Sequence, residues 1–276
     1  MSCRHVRVVA DNGDMDLQLR DKLAIVTGSS KGIGHAIATS LAREGARVVV
    51  NGRSEASVAA VVAAIRAAVP AAVLHTFAGD LSRADVAEAL IRAFPEPDIL
   101  VNNLGIFEPV PFEQIPDEDW RRFFEVNVLS GVRLSRLVLA GMKARNWGRI
   151  VFISSESAVQ IPTEMIHYGM TKTAQLAVSR GLAQLCAGTA VTVNAVLPGP
   201  TRSDGVEDFV AALSGGRPFE EAEADFFKTA RPTSLLRRFA TVEEVASMVT
   251  YVCSPLSSAT NGAALRVDGG VLLSAV

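Results

Sequence analysis

Residues 22–45 read KLAIVTGSSKGIGHAIATSLAREG, and the fold is decided there. Residues 23–27 are a short apolar run that stops at Gly28, as expected of a strand buried on both faces. Ile33, Ile37, Ala38 and Leu41 then recur at helical spacing as far as Gly45. Between strand and helix lie Thr27-Gly28-Ser29-Ser30-Lys31-Gly32-Ile33-Gly34, with three glycines in one turn. Glycine permits positive φ and lets a ligand approach the backbone. The helix that follows offers free N–H groups and a positive dipole end to a pyrophosphate. The spacing is GxxxGxG, not the GxGxxG dinucleotide fingerprint. Taken alone, such a turn fits an ordinary tight βα connection equally well. Its position after the first buried strand favours a nucleotide.

The same rhythm continues outward. Strands are expected at 47–51, 73–77, 98–102, 149–154, 191–197 and 263–267. Helices are expected at 54–68, 82–94, 117–144, 164–187 and 241–253, the long one broken or curved near Gly131. Strand alternating with helix predicts an α/β fold: a Rossmann-type doubly wound parallel β-sheet, helices on both faces, in a single domain. That domain spans 21–276. Residues 1–20 show no period and read as a loose leader, with Met15 an alternative start. Residues 204–230 form a helical excursion containing Gly215 and Gly216. In doubly wound sheets ligands sit beyond the carboxyl ends of the strands, where strand order reverses. The chemistry is therefore expected in the loops after each strand.

Composition narrows the function. The formal net charge of −2 gives no broad attraction to nucleic acid or an anionic membrane. No apolar run is long enough to span a bilayer, and no secretory signal opens the chain. Three scattered cysteines, Cys3, Cys186 and Cys253, fit a reducing cytoplasm better than a disulfide framework. The four histidines make no ligand spacing with cysteines or acids, so no metal is expected.

The second strand ends in Asn51-Gly52-Arg53. An acid near this point would hold the ribose hydroxyls of NAD. Here Arg53 follows at once, and Lys31 adds a cation from the glycine turn. Both suit a 2′-phosphate, so NADP(H) is favoured over NAD(H).

Tyr168 and Lys172 stand four residues apart in an expected helix, on one face. A free phenol, with a pKa of about 10, is a poor base near neutral pH. A neighbouring ammonium would lower that value. The phenol could then exchange a proton with a substrate oxygen as hydride moves. Ser154 and Ser155 end the fifth strand, Ser155 thirteen residues before Tyr168. A hydroxyl there can hold a substrate oxygen. Asn127 lies on the inner side of the long helix, where an amide needs a partner. Pro198-Gly199-Pro200-Thr201 follows the sixth strand.

Together these residues resemble the short-chain dehydrogenase/reductase family, over about residues 20–271. The motifs run in the family's order: the glycine turn at 27–34, Gly-Asp-Leu at 79–81, Asn-Asn-Leu-Gly at 102–105, Asn127, Ser155, Tyr168 with Lys172, Pro-Gly at 198–199 and Val-Asp-Gly-Gly at 267–270. The resemblance implies a catalytic set of Asn127, Ser155, Tyr168 and Lys172. It implies a cofactor site in which Gly28, Ser30, Lys31, Gly32, Ile33 and Gly34 form the pyrophosphate turn. Arg53 would meet the adenosine end and Asp80 the adenine amine, with Leu81 beside it. Asn103 and Gly105 would border the ribose, and Pro198, Gly199 and Thr201 the nicotinamide. Tyr168 and Lys172 would also belong to the cofactor site, Lys172 bonding the nicotinamide ribose, and Asn127 would hold a water in a proton relay. The implied activity is hydride transfer to a carbonyl, of 3-oxoacyl type or another ketone, or from a secondary alcohol. A homotetramer or dimer packed through the helices at 117–144 and 164–187 is implied too. The family's third residue in Asn-Asn-Ala-Gly is here Leu104, which could reshape the pocket.

Other residues are assigned bland roles. His167 and Glu156 flank the set and are expected at packing or surface positions. Phe209, Phe219, Phe226 and Phe227 suggest an amphipathic stripe on a substrate lid at 204–230. Two rival functions remain: a sugar-nucleotide epimerase or dehydratase, and a catalytically inactive dinucleotide-binding sensor or scaffold.

Overall fold

The computed structural model describes residues 15–203, 205–206 and 218–275. Most of the expected leader (1–14) and the middle of the expected lid (207–217, with Phe209, Gly215 and Gly216) lie outside the described residues.

The main sheet has seven parallel strands. They are β1 (Leu23–Val26), β2 (Arg47–Gly52), β3 (Val73–Ala78), β4 (Ile99–Asn102), β5 (Gly148–Ile153), β6 (Val191–Pro198) and β9 (Ala264–Val267), in the order β3-β2-β1-β4-β5-β6-β9. Strand order reverses between β1 and β4, where Val26 pairs with Val50 on one side and Val101 on the other. A two-residue pair, β7 (Thr201–Arg202) with β8 (Ala240–Thr241), lies outside this sheet. So short a pairing leaves no period in the sequence.

The strands are apolar throughout because both faces are covered. Ala24, Val26, Val48 and Val50 face α1 (Gly32–Arg43), α2 (Glu55–Ala68) and α8 (Val242–Cys253). Leu23, Ile25, Val49 and Leu100 face α3 (Ala84–Ala93), α5 (Ser130–Ala144) and α6 (Ile166–Leu185). Each valine, leucine or isoleucine among them, fully buried, contributes about 1.5–3 kcal/mol. Cys186 and Cys253 are free and buried within these layers. Leu19 is fully buried in the first layer, with Leu17 packed against it. Ordered packing therefore begins before residue 21, the expected domain boundary.

The expected helix at 117–144 departs from a simple break near Gly131. It consists of α4 (Asp117–Phe124), a π-helical turn at Glu125–Leu129, and α5. Gly131 serves packing instead: a Cβ there would lie 2.9 Å from the Phe152 ring. The π-turn contains Asn127, and such turns place side chains that a regular helix would aim elsewhere.

Helix α8 is secured at its start. Thr241 Oγ1 accepts from Glu244 N, and the Glu244 carboxylate accepts from Thr241 N, a reciprocal capping box. Replacing Thr241 with Ala should cost about 1 kcal/mol. A calorimetric melt should then fall by roughly 2–4 °C; an unchanged melting temperature would show that the cap adds nothing. Among the described residues no helix is long and apolar enough to cross a membrane, and no acid, His and Cys group is arranged to hold a metal.

Candidate active site

A cavity of about 930 Å³ opens along the carboxyl edge of the sheet, across the β1–β4 reversal. Every residue expected to meet the cofactor, from Gly28 to Thr201, lines it. Ser155 lines it too, while Asn127 stands one layer behind.

The glycine turn is held open from two sides. Gly28 and Gly32 have φ of +58° and +55°, a region other residues rarely adopt. A Cβ at Gly34 would lie 2.5 Å from the Gly28 carbonyl oxygen, so only glycine fits without backbone movement. Asn103 Nδ2 donates to the Thr27 and Gly28 carbonyls at 2.9 and 3.1 Å. Thr27 Oγ1 accepts from the N–H groups of Asn103 and Leu104, each at 2.9 Å. From β2, Asn51 Oδ1 accepts from Gly28 N at 2.9 Å, and its Nδ2 donates to the Phe77 and Gly79 carbonyls. In the sequence Asn51 stands out only for not being an acid; in the fold its buried amide fixes the turn. Asn103, expected at a ribose, likewise spends its side-chain donors on this turn. Leu104 sits against Gly28 and packs into the second core layer.

No side chain caps the start of α1, so its first N–H groups are available at the cavity wall. Ser30 lies beside Gly52, closing the turn against β2. Lys31 and Arg53 are exposed at the same end, with no carboxylate partner among the described residues. Asp80 Oδ1 accepts from the N–H and hydroxyl of Ser82. Leu81 is buried beside it. Gly199 N donates to the Val267 carbonyl, and Thr201 Oγ1 donates to the Gly199 carbonyl. These bonds join the loop after β6 to the last strand.

On the opposite wall, α6 presents Tyr168 and Lys172 one turn apart. Lys172 Nζ sits 5.5 Å from the centre of the Tyr168 ring and donates to the Ile153 carbonyl at 2.9 Å. The Ser155 hydroxyl is near enough to the phenol to pull its pKa down. The hydroxyl of Ser154 is turned away, donating to the Lys172 carbonyl at 2.9 Å. Asn127 Nδ2 donates to the Ile106 carbonyl and to Thr171 Oγ1, each at 3.0 Å, and Oδ1 accepts from Ile106 N at 2.8 Å. Both its donors are thereby used, leaving an Oδ1 lone pair for a water. A Cβ on Gly105 would lie 3.5 Å from that oxygen and 3.5 Å from Lys172 Nζ.

The electrostatics differ from expectation. Four-residue spacing predicts that Lys172 lowers the phenol's pKa. Instead burial raises it above its ordinary value, and the Glu156 carboxylate raises it further. The groups that pull it down are the Ser155 hydroxyl and Arg231, not Lys172. Burial also pushes the Lys172 ammonium down to about 8, against the pull of Glu156.

Glu156 was expected at a packing or surface position. It is buried in the cavity wall, where its Oε2 accepts from Ser155 Oγ at 2.5 Å. His167 does pack: it is buried against Phe123, with ring centroids 4.0 Å apart, on the side of α6 away from the cavity. Beyond Glu156 the cavity is covered by α7 (Phe219–Thr229), whose Ala222 and Phe227 pack on Phe239 as a small separate core.

Comparison with known proteins agrees with this layout. The family described as Enoyl-(Acyl carrier protein) reductase matches residues 28–272. The chain is 52% identical to "Uncharacterized oxidoreductase YvaG" of Bacillus subtilis (strain 168), covering 94% of this chain and 99% of that one. It superimposes with a TM-score of 0.88, at 30% identity, on L-sorbose reductase from Gluconobacter frateurii, solved with NADPH and L-sorbose. That match covers 94% of this chain and all of the other (100%). A structure titled "short chain dehydrogenase/reductase family protein" matches at 31% identity with a TM-score of 0.80, covering 93% and 98% of the two chains. Sequence motifs, sheet order and relatives agree: the chain belongs to the short-chain dehydrogenase/reductase family of oxidoreductases.

Proposed function

We propose that the protein is an NADP(H)-dependent oxidoreductase that interconverts a ketone and a secondary alcohol. The observation that carries this is the convergence of the Tyr168 phenol, the Ser155 hydroxyl and the Lys172 ammonium on one wall of a cavity whose other wall is the glycine turn. The dinucleotide, when bound, supplies or accepts the hydride. Its pyrophosphate would lie on the uncapped start of α1. Its 2′-phosphate would meet Lys31 and Arg53. The NADPH-bound L-sorbose reductase supports that choice of cofactor.

The chain's own residues handle the proton. In reduction the substrate carbon gains a hydride, and Tyr168 Oη gives its proton to the substrate oxygen. The phenol is protonated near neutral pH and so carries the proton that reduction needs; because burial and Glu156 raise its pKa, release of that proton depends on charge stabilisation from its neighbours. Ser155 would orient the oxygen by turning its hydroxyl proton from Glu156 to the substrate. Lys172, tied to the Ile153 carbonyl, holds a positive charge beside the phenol as the proton leaves. Proton return to Tyr168 would start from a water held on the free Asn127 Oδ1 lone pair and run past Gly105. Helix α7 would exclude water from the substrate end.

The test is NADPH absorbance with a panel of ketones and aldehydes, alongside NADPH binding by fluorescence. Saturable binding and carbonyl-dependent oxidation are expected. A protein that binds no NADPH would overturn the proposal. So would one that binds it but oxidises it with no carbonyl.

A further inference from the structure

Past Ser155, at the substrate end of the cavity, the wall carries three charged side chains from separate parts of the chain: Glu156, Glu164 and Arg231. Arg231 Nε lies 3.4 Å from Glu156 Oε1, and its Nη1 lies 3.2 Å from Glu164 Oε1. Glu156 is 5% exposed and the Arg231 side chain 11%. Charges this deep are costly to desolvate, and apolar residues of equal volume often serve stability as well. A buried carboxylate and guanidinium beside a reacting centre therefore point to recognition.

Three features indicate what is recognised. The first is charge. Two carboxylates against one guanidinium leave the cluster net negative, so it disfavours a carboxylate or phosphate near the reacting carbon. The second is hydrogen-bonding capacity. Glu156 Oε2 accepts from Ser155 and Oε1 from Arg231, which leaves each oxygen a further lone pair. Arg231 Nη1 donates to Glu164 and to the Ala230 carbonyl, while Nη2 donates to no described residue. An acceptor and a donor side by side match a hydroxyl, which is both. The third is adjacency. Glu156 follows Ser155 in the chain and bonds its hydroxyl, so the recognised group sits next to the carbon whose oxygen Ser155 holds. Phe107, Met165 and Phe226 complete the wall as apolar surface for C–H groups.

The geometry points to a hydroxyl subsite formed by Glu156 and Arg231, for a neutral ketone bearing a hydroxyl beside its carbonyl, the ketose and polyol class, rather than an oxo acid or a 3-oxoacyl thioester. This rests on the oxidoreductase reading above and deepens it. Glu156 and Arg231 are then specificity residues, and Glu164 positions Arg231.

The test compares acetone, hydroxyacetone and acetoacetate as substrates of the NADPH-loaded protein. Hydroxyacetone should exceed acetone in kcat/KM by about 100-fold, a part of the roughly 10⁴–10⁵-fold by which a site built to hydrogen-bond a hydroxyl can reject its absence. Acetoacetate should do no better than acetone. Glu156→Gln should cut the hydroxyacetone-to-acetone ratio by about tenfold, chiefly through KM. Arg231→Lys, which keeps the charge but has one nitrogen in place of three, should cut it similarly; melting temperature and NADPH affinity check that both variants fold. A wild-type ratio near one, a preference for acetoacetate, or a ratio unmoved in both variants overturns the subsite. Binding is read separately, by titrating hydroxyacetone and acetone into the NADPH complex of Tyr168→Phe. Selective binding of hydroxyacetone without any turnover by the wild type would sink the oxidoreductase reading and leave the subsite standing. Turnover without selectivity would sink the subsite alone.

Discussion

Tyr168→Phe should lower kcat by about 10³-fold, within the range of 10²–10⁴ that a positioned general acid contributes, while the NADPH dissociation constant moves less than about threefold. The substitution removes one oxygen. The ring keeps its edge contact with Phe107, 6.3 Å between centroids, and its place under Lys172. No neighbour can take over the donation. The Ser155 proton is directed to Glu156, and the Lys172 ammonium is tied to the Ile153 carbonyl. The glycine turn lies on the opposite wall and does not depend on the phenol. Steady-state turnover and NADPH fluorescence titration, run on one preparation, separate the two effects. Turnover within tenfold of wild type would remove Tyr168 from the chemistry. Equal loss of turnover and NADPH binding would assign it to cofactor binding instead.

Arg53→Asp should reverse the choice of cofactor, with the NADPH-to-NADH ratio of kcat/KM falling by about 100-fold. A charged hydrogen bond to the 2′-phosphate contributes roughly 1.5–3 kcal/mol, and each 1.4 kcal/mol is about tenfold in affinity. The new carboxylate adds repulsion against that phosphate. It also supplies an acceptor for the two ribose hydroxyls of NADH, as acids do at this strand tip in NAD-binding folds. Arg53 is exposed and has no carboxylate partner among the described residues, so its replacement breaks no ion pair among them. The NADPH term should fall and the NADH term rise. Lys31, still present, should preserve some NADPH activity. A ratio changed by less than threefold would place the 2′-phosphate away from Arg53.

These expectations draw on different depths of information. The change from a strand run to helical spacing around Gly28 already contains the layered architecture, because a strand apolar on both faces must be covered twice. The glycines at 28, 32 and 34 were legible for a related reason: positive φ and close backbone approach are local demands that only one residue type meets. Tyr168 and Lys172 were legible because four residues along a helix put two side chains on one face whatever surrounds them. The helix irregularity was sensed but misplaced. Gly131 marks a close contact with Phe152, and the π-turn lies one turn earlier, at Glu125–Leu129, with no residue type that announces it.

What the sequence determined by itself is set by short-range geometry: the parallel sheet, the cavity at its carboxyl edge, the glycine turn, and the pairing of a phenol with an ammonium. The tertiary structure alone decided that Asn51 anchors the turn and that Leu19 belongs to the core. It alone made Glu156 a buried wall residue facing Arg231, seventy-five positions away. It also reversed the expected shift of the Tyr168 phenol. Those outcomes depend on desolvation and on charges brought together from distant segments, and neither quantity exists until the chain has closed around them.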